Sequence, residues 1–467
     1  MGQLKRVLGV WNLISLGIGA IIGAGIFVLT GTTAAQYAGP GIVISFIIAA
    51  FICLLAGLCY AEFASMIPKA GSAYTYALGT MGKGMAWVIG WDLILEYLFA
   101  ASTVAVGWSA YATSLCRDIG IAIPDQWSHS PFAYHHGQFT ITGHFLNIPA
   151  MVIVGMIGAL LWLGIRESAR ANAIVVAIKL MVIGLFIAFG MAHINPANLS
   201  PIIPANTGEW GVFGWSGVIR AAGIIFFAYI GFDAVSTAAQ ECKNPQRDLP
   251  IGILGSLGIA TLLYIAVAVV LTGTVYYPHL NVPDPIAVAV NSFGPHLGWL
   301  KLAVKLGALA GLSSVILVML MGQTRIFYAM ASDGFLPKFF CRIHPRLQTP
   351  SAATIITCSV AMVIAGIFPI QLLSELVSIG TLLAFAIVCI GVLVLRRTRP
   401  DLPRPFKTPL VPLVPILGAM AAIAQMMALH VDTWIRLGVW MLLGAGVYWI
   451  YGRRVQLSRD DVFNHDT

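Results

Sequence analysis

Long apolar runs separated by short polar links dominate the chain. A helix needs about 20 consecutive apolar residues to cross about 30 Å of hydrocarbon. By that measure the pattern predicts about twelve transmembrane helices, because a helix satisfies its backbone hydrogen bonds within its own segment. The predicted spans are 12–34, 41–66, 85–115, 148–165, 171–193, 214–240, 250–276, 300–330, 351–368, 372–395, 409–429 and 433–452.

Composition agrees with this pattern. The chain is 59% hydrophobic and 9% charged, whereas soluble domains carry about 25% charged residues. We therefore predict an all-α polytopic membrane protein with the lipid bilayer as its surroundings. A net charge of +8 would otherwise suggest nucleic acid, but the cations lie in short links, where they set topology. We expect no nucleic-acid partner.

The links divide into a cation-rich set and a cation-poor set. The rich set includes Arg166, Arg170, Arg396 and Arg397, and the poor set holds Arg117, Lys301, Lys305 and Arg436. Positive links are retained in the cytoplasm, so both chain ends are expected inside the cell, at its inner (plasma) membrane. The apolar stretch after Lys5 and Arg6 is expected to stay as the first span, since it is too long for a signal peptide.

The longest outer link, about 116–147, contains four histidines: His129, His135, His136 and His144. We favour an ordinary polar loop over a metal site there. The cysteine spacing also matches neither a metal site nor a disulfide framework. We expect no cofactor other than a coupling ion.

Two predicted spans are interrupted by glycine. The first contains Gly19, Gly23 and Gly25, and each glycine costs a helix about 1 kcal/mol against alanine. Close helix packing is one explanation, and an unwound segment at 23–25 is the other. The sixth span is interrupted in the same way at 226–232. Paired interruptions in matching positions indicate a transporter with inverted repeats and a midplane site.

Ionisable residues inside spans are the remaining candidates for chemistry. Lys179 lies in the middle of the fifth span, where a lysine costs about 2.5–3.5 kcal/mol and can hardly reach the interface. Asp92 and Glu96 share one helical face of the third span, and Asp233 directly follows the second interruption. Each could carry protons or line a hydrophilic path, and Asp92 and Glu96 could equally be structural.

These features resemble the amino acid–polyamine–organocation superfamily, and within it the bacterial members of the cationic amino acid transporter group. The resemblance covers nearly the whole chain. It rests on Gly19 to Gly31, Phe226 to Val235, Glu241 to Pro250, Gly322 to Gly334, and Arg404-Pro405-Phe406-Lys407.

The resemblance implies a five-plus-five inverted repeat, with helices 1 and 6 broken and two helices added. The domains would be 1–11, 12–193, 214–395, 409–452 and 453–467. It implies that an amino acid's carboxylate meets N–H groups at 23–25, and that its ammonium meets carbonyls near Ile21 and at Phe227, Ala228 and Ile230. The implied substrate-binding residues are Ile21, Gly23, Ala24, Gly25, Phe227, Ala228 and Ile230.

The resemblance also suggests roles for other side chains. Phe226, or its neighbour Phe227, would gate the substrate, and Lys179 would place its ammonium where sodium-coupled relatives hold a cation. We therefore expect proton coupling through Lys179, with Asp233 and Glu96 as further proton carriers. Bulky apolar residues of the eighth span, among them Met319, favour a small apolar substrate.

We thus expect a secondary active transporter that imports an amino acid by alternating access. A cationic substrate, amino acid exchange and sodium coupling are the alternatives. A channel is less favoured, because no span supplies a polar pore lining. An enzyme is not expected, because the chain lacks motifs such as His-Glu-x-x-His or Gly-x-Ser-x-Gly.

Overall fold

The computed structural model describes residues 8–67, 71–135, 138–163, 169–239, 242–344 and 349–455. The first helices are α1 (Val10–Ile21), α2 (Thr30–Thr33), α3 (Ile42–Met66), α4 (Ser72–Met81), α5 (Lys83–Ile94), α6 (Ala100–Asp118), α7 (Ile148–Trp162) and α8 (Ala169–Met191). The remaining helices are α9 (Gly214–Ile225), α10 (Ala234–Thr237), α11 (Pro245–Thr274), α12 (Pro285–Asn291), α13 (Gly298–Ser332), α14 (Ser351–Ile367), α15 (Ile370–Thr398), α16 (Leu413–Met427) and α17 (Val431–Ile450).

Within the described ranges, eight helical segments are long and apolar enough to cross a membrane. They are Gly25–Met66, Lys83–Asp118, Ala173–Met191, Gly214–Thr237, α11, α13, α15 and α17. Four shorter apolar helices accompany them: α1, α7, α14 and α16. The chain is therefore a multi-pass helical membrane protein, and every predicted span overlaps one of these helices.

The first predicted interruption is present and lies slightly earlier than expected. Helix α1 ends at Ile21, and Ile22 is extended (φ −77°, ψ 99°). Ala24 is already helical (φ −59°, ψ −25°), and the chain continues as a π-helical turn over Gly25–Leu29. The chain therefore unwinds at Ile22 and Gly23, rather than over all of 23–25.

The second interruption has a different shape. Helix α9 ends at Ile225 and is followed by a 3₁₀ turn, Phe226–Tyr229, and an extended Ile230. Gly231 then takes φ +113°, a conformation that a residue with a Cβ adopts only at a cost. The chain becomes helical again in the short helix α10. The turn and Gly231 together match the predicted segment 226–232.

Helix α1 lies in the interior, packed against α8, α11 and α13. Further extensive pairs are α3 with α11, α6 with α13, α7 with α14 and α15 with α16. Small residues permit these approaches: a Cβ built on Gly17 would lie 2.4 Å from Ser256 Oγ. This packing holds both interruptions deep inside the protein.

The link between α6 and α7 contains a two-stranded antiparallel hairpin. Strands β1 (Phe132–His135) and β2 (Gln138–Ile141) pair Phe132 with Ile141 and His135 with Gln138. The rings of His129 and His144 lie next to each other, tilted by 34° with centroids 5.2 Å apart. Among the described residues, no group of three or more His, Cys, Asp or Glu side chains is placed to hold a metal ion. His136, and most of the predicted terminal segments 1–11 and 453–467, lie outside the described residues.

Candidate functional site

The two interrupted segments touch each other through their backbones. A Cβ built on Gly25 would lie 2.3 Å from Ala228 Cβ and 2.4 Å from Ala228 Cα. A Cβ on Gly231 would lie 3.0 Å from backbone atoms of Ala20. Real Cβ atoms essentially never lie within 3.0 Å of such neighbours, and few lie within 3.4 Å, so glycine at these positions lets both breaks share one site.

Tyr264 of α11 connects the same two segments. Its hydroxyl lies 2.8 Å from the Ile21 carbonyl oxygen and 2.6 Å from that of Ala228. The hydroxyl carries one proton, so it can donate to only one of the two oxygens at a time. Two carbonyls that the family resemblance assigns to a substrate ammonium therefore already share a polar partner.

A small cavity lies between the two breaks. It has a volume of about 10 Å³, about the room of one water molecule, and the lining side chains are buried. The lining is formed by Ala20, Ile21, Gly23, Ala24, Gly25, Ala100, Val104, Phe227, Ile230, Val315 and Met319. The site is therefore closed in this conformation, and a ligand can enter only if the surrounding helices move.

Most of the predicted binding residues meet at this cavity. Ala228 does not line it and instead packs behind Gly25. The two candidate gate residues are separated. Phe227 lines the cavity, whereas the ring of Phe226 packs against Phe385, with centroids 5.5 Å apart. The structure thus places Phe227, rather than Phe226, against the cavity.

Lys179 reaches the first interruption from α8. Its fully buried ammonium donates to the carbonyl oxygens of Gly19, at 2.8 Å, and Ile22, at 3.0 Å. These carbonyls lie where α1 ends, at the negative end of the helix dipole, which favours a cation. The stem passes α13, because a Cβ on Gly311 would lie 3.2 Å from Lys179 Cδ.

A second polar cluster surrounds Asp233. Its carboxylate accepts hydrogen bonds from Tyr97, at 2.6 Å, and from Ser72, at 3.2 Å. The carboxyl group of Glu96 lies near Asp233, and both are buried. A carboxylate only accepts, so a hydrogen bond between two carboxyl groups requires one proton.

Neither Glu96 oxygen has a hydrogen-bond partner among the described residues. The same holds for Asp92, whose carboxylate lies against α15, where a Cβ on Gly380 would be 2.9 Å from Asp92 Oδ1. None of these three acids lines the cavity. The structure therefore separates the acids from the residues that face a ligand.

The chain is similar over almost its whole length to known proteins. The family model described as amino acid permease matches residues 8–447. The chain belongs to the amino acid permease family. The branched-chain amino acid permease BcaP of Bacillus subtilis is 45% identical over 97% of this chain and 94% of its own length. The methylthioribose transporter of the same organism is 43% identical over 97% and 95%.

Relatives named for cationic amino acids are less similar. The vacuolar cationic amino acid transporter 4 of Arabidopsis thaliana is 37% identical over 85% of this chain and 64% of its own length. The family and its transporter-named relatives identify the permease as a membrane transporter, not an enzyme.

Sequence reasoning missed some residues at the permease's site. Tyr264 had only a weak signal, a tyrosine in the middle of an otherwise apolar run. Ser72 lies outside the predicted spans, directly after Gly71, so hydropathy gave no reason to place it beside Asp233. Ala100 and Val104 look like any other lipid-facing or core residue until the helices are packed.

Proposed function

We propose that this permease imports a small apolar amino acid by proton-coupled alternating access. The observation that carries the proposal is the closed cavity between two interrupted helices. Its polar groups belong to the backbone, and its side chains are apolar. Such a site offers partners for the two charges that all α-amino acids share, and only apolar contacts for the side chain.

The proposed topology has twelve spans, arranged as two inverted five-helix repeats at 12–193 and 214–395, with two added helices at 409–452. Both chain ends lie in the cytoplasm, at the inner (plasma) membrane. The eight long and four short apolar helices and the two matched interruptions support this arrangement, and the distribution of Lys and Arg supports the orientation.

The substrate's carboxylate is placed at the N–H groups of 23–25, where the second half-helix begins. The first N–H groups of a helix lack intrahelical partners and lie at its positive end. The ammonium faces the carbonyls of Ile21, Phe227 and Ile230, with Tyr264 releasing Ile21 when the substrate arrives. Phe227 closes over the bound amino acid.

The side-chain pocket favours aliphatic substrates. Val104, Val315 and Met319 form its apolar wall, and it contains no acidic side chain. A guanidinium or ammonium side chain placed there would lose its water without gaining a counter-charge, which is costly. The similarity to a branched-chain permease supports the same choice over a cationic substrate.

Coupling is proposed to use two proton-binding positions. Protonated Lys179 holds the broken end of α1 through two carbonyls, and loss of its proton would weaken that hold. The Glu96–Asp233 pair holds one proton between two acids, next to the second interruption. Proton movement at either position would change how tightly an interrupted segment is held.

Uptake into proteoliposomes tests the substrate and the coupling ion together. We expect labelled leucine or valine to accumulate under an inward proton gradient and not under a sodium gradient alone. Unlabelled arginine and methylthioribose should compete poorly. Accumulation of arginine in preference to leucine would contradict the substrate assignment, and uptake driven by sodium alone would contradict the coupling.

Lys179→Met probes the first proton position with a side chain of similar length. We expect gradient-driven uptake to be lost, while gradient-independent exchange of internal for external leucine continues. Lys301→Met is the matched control, since Lys301 lies on the surface and pairs with Asp118 at 3.1 Å. Gradient-driven uptake that survives in Lys179→Met would remove this lysine from the coupling mechanism.

Asp233→Asn probes the second position. Asparagine can still accept from Tyr97 through its carbonyl, but it cannot exchange a proton with Glu96. We expect less proton influx per leucine taken up, measured with a pH-sensitive dye inside the liposomes. An unchanged proton-to-leucine ratio would assign the Glu96–Asp233 pair a structural role.

A further inference from the structure

A second, much larger hollow lies away from the transport site. It is a groove of about 760 Å³ between the beginning of α11 and the loop that leads to α16. Its walls include Gln246, Arg247, Pro250, Ile251, Leu254 and Phe406. None of them lines the transport cavity.

The groove joins two sequence runs that the transport site does not use. One is the run that ends in Asn244-Pro245-Gln246-Arg247-Asp248-Leu249-Pro250, and the other is Arg404-Pro405-Phe406-Lys407. They are far apart in the chain and face each other across the groove.

The loop side of the groove is firmly held. Glu62 of α3 accepts two hydrogen bonds from Arg396, at 3.1 and 2.7 Å, and one from the Thr408 N–H, at 2.7 Å. Arg404 lies 3.4 Å from the same carboxylate, and the Phe406 N–H donates to Ser65 at 3.3 Å. Phe406 is therefore a fixed wall of the groove.

The polar end of the groove is formed by Arg247. Its side chain is exposed and makes no ion pair with any acidic group among the described residues. Pro250 lacks an N–H, so the carbonyl of Gln246 loses its partner one turn later in the helix. The groove thus presents an exposed guanidinium beside a carbonyl that lacks its usual i+4 donor, and exposed Lys243 and Lys407 belong to the same two runs.

The apolar end continues into the membrane along one face of α11. Ile251 follows Arg247 by four residues, and the exposed face goes on through Ile259 and Leu262, whose exposed fractions are 37% and 71%. These positions share one helical stripe. Gly258 lies on the same face with nothing within 4 Å of a built Cβ. The stripe is thus an open, apolar track that begins at a guanidinium.

We propose that this groove binds an anionic phospholipid. The phosphate pairs with Arg247, a hydroxyl of the headgroup donates to the Gln246 carbonyl, and an acyl chain lies along the track from Ile251 to Leu262. Basic pockets between membrane helices on the cytoplasmic side bind anionic headgroups in this way. A soluble anion would leave the apolar track uncovered. The assignment rests on membrane embedding and is independent of the substrate and of proton coupling.

Lipid binding to the purified full-length permease tests the proposal. Dioleoylphosphatidylglycerol, dioleoylphosphatidylcholine and inorganic phosphate are added separately to the protein in detergent. Bound lipid is counted by native mass spectrometry, and protection is measured as the rise in the thermal unfolding temperature. We expect phosphatidylglycerol to bind and protect more than phosphatidylcholine, and phosphate alone to protect little.

Arg247→Gln should weaken phosphatidylglycerol binding about fivefold, since one cation near a membrane surface is worth about 1 kcal/mol. Arg247→Lys should keep most of the affinity. Lys338→Gln, which removes an exposed cation outside the groove, should bind as the unchanged protein does. Ile251→Asn should weaken binding without changing the charge.

Equal phosphatidylglycerol binding by the unchanged protein and Arg247→Gln would overturn the proposal. Equal protection by inorganic phosphate would show a soluble-anion site and overturn it as well. If Arg247→Gln does not fold, phosphatidylglycerol binding to Arg247→Lys and Ile251→Asn tests the proposal instead. Unaltered binding by Ile251→Asn would exclude the acyl-chain track. All of these readouts are obtained without measuring transport.

Discussion

Gly25→Ala is the smallest change that should disable the contact between the two interrupted helices. The added methyl group would lie 2.3 Å from Ala228 Cβ and 2.4 Å from its Cα, whereas ordinary contact begins near 3.4 Å. The two segments would have to separate by about 1 Å, the difference between these distances. The second neighbour is a backbone atom, so no side-chain rotation can relieve the clash.

Overpacking of this kind costs about 1–3 kcal/mol. That cost falls on the closed conformation, in which the two breaks touch. A penalty of this size lowers the population of the state by about 5- to 150-fold. If each transport cycle passes through that state, the maximal rate of leucine uptake should fall by a similar factor.

The assay is initial uptake of labelled leucine into proteoliposomes, with the amount of folded protein fixed by size-exclusion chromatography and thermal unfolding. Gly258→Ala is the neutral control, since nothing lies within 4 Å of its built Cβ. Gly23→Ala is the graded control, because its nearest neighbour is a methyl group of Val315 at 3.1 Å, which can shift. Ala228→Gly in the Gly25→Ala background should rescue only in part, because the clash with the Cα persists.

The reasoning is refuted if Gly25→Ala transports within twofold of Gly258→Ala. It is also refuted if Gly23→Ala is the more damaging of the two nearby substitutions. Either result would show that the closed contact between the breaks is not required during the cycle.

Two further outcomes follow from the structure. Tyr264→Phe leaves two buried carbonyls without their shared donor and should destabilise the protein by about 1–3 kcal/mol. The measurement is a lower thermal unfolding temperature. The control, Tyr451→Phe at an exposed position, should change the unfolding temperature little. Asp284, in the link before α12, accepts from Ser114 at 2.5 Å, and its burial raises the pKa of this carboxyl above its ordinary value of 3.8, with Ser114 and Lys305 opposing the shift. The folded state therefore holds this proton more tightly than the unfolded state, so the contribution of Asp284 to stability should decline as pH rises from about 3.8 through the raised pKa. Asp284→Asn should flatten that part of a plot of unfolding temperature against pH. An unchanged slope would refute the assignment.

The two interruptions show how much of the structure a local sequence pattern can predict. Glycine spacing correctly indicated that both helices break, because each glycine is a measurable local cost in a helix. It could not tell why each glycine is there. Gly231 takes a positive φ, whereas Gly25 has a helical conformation and leaves no room for a side chain because Ala228 packs against it. Conformational and packing roles look the same in the sequence, which is why the first break was predicted slightly too late.

The side-chain predictions also divide into those that a local pattern supports and those that need the packed structure. Lys179 was recognisable because a lysine deep in an apolar run is costly and must have a partner. Its partners, the carbonyls of Gly19 and Ile22, could be located only once α8 was packed against α1. The placement of Phe226 away from the cavity and Phe227 against it depends on the rotation of a single 3₁₀ turn, which hydropathy does not record.

The sequence by itself determined that this is a many-spanning helical membrane protein with two interrupted helices and a buried lysine. Those conclusions depend on energies that each residue contributes locally: transfer into lipid, helix propensity and the cost of an unpaired charge. Only the tertiary structure decided which groups meet. It brought Glu96 near Asp233, bridged the two breaks through Tyr264 and joined two distant sequence runs in one groove. These contacts depend on the rotation of each helix and on packing between residues far apart in the chain, which no local pattern encodes.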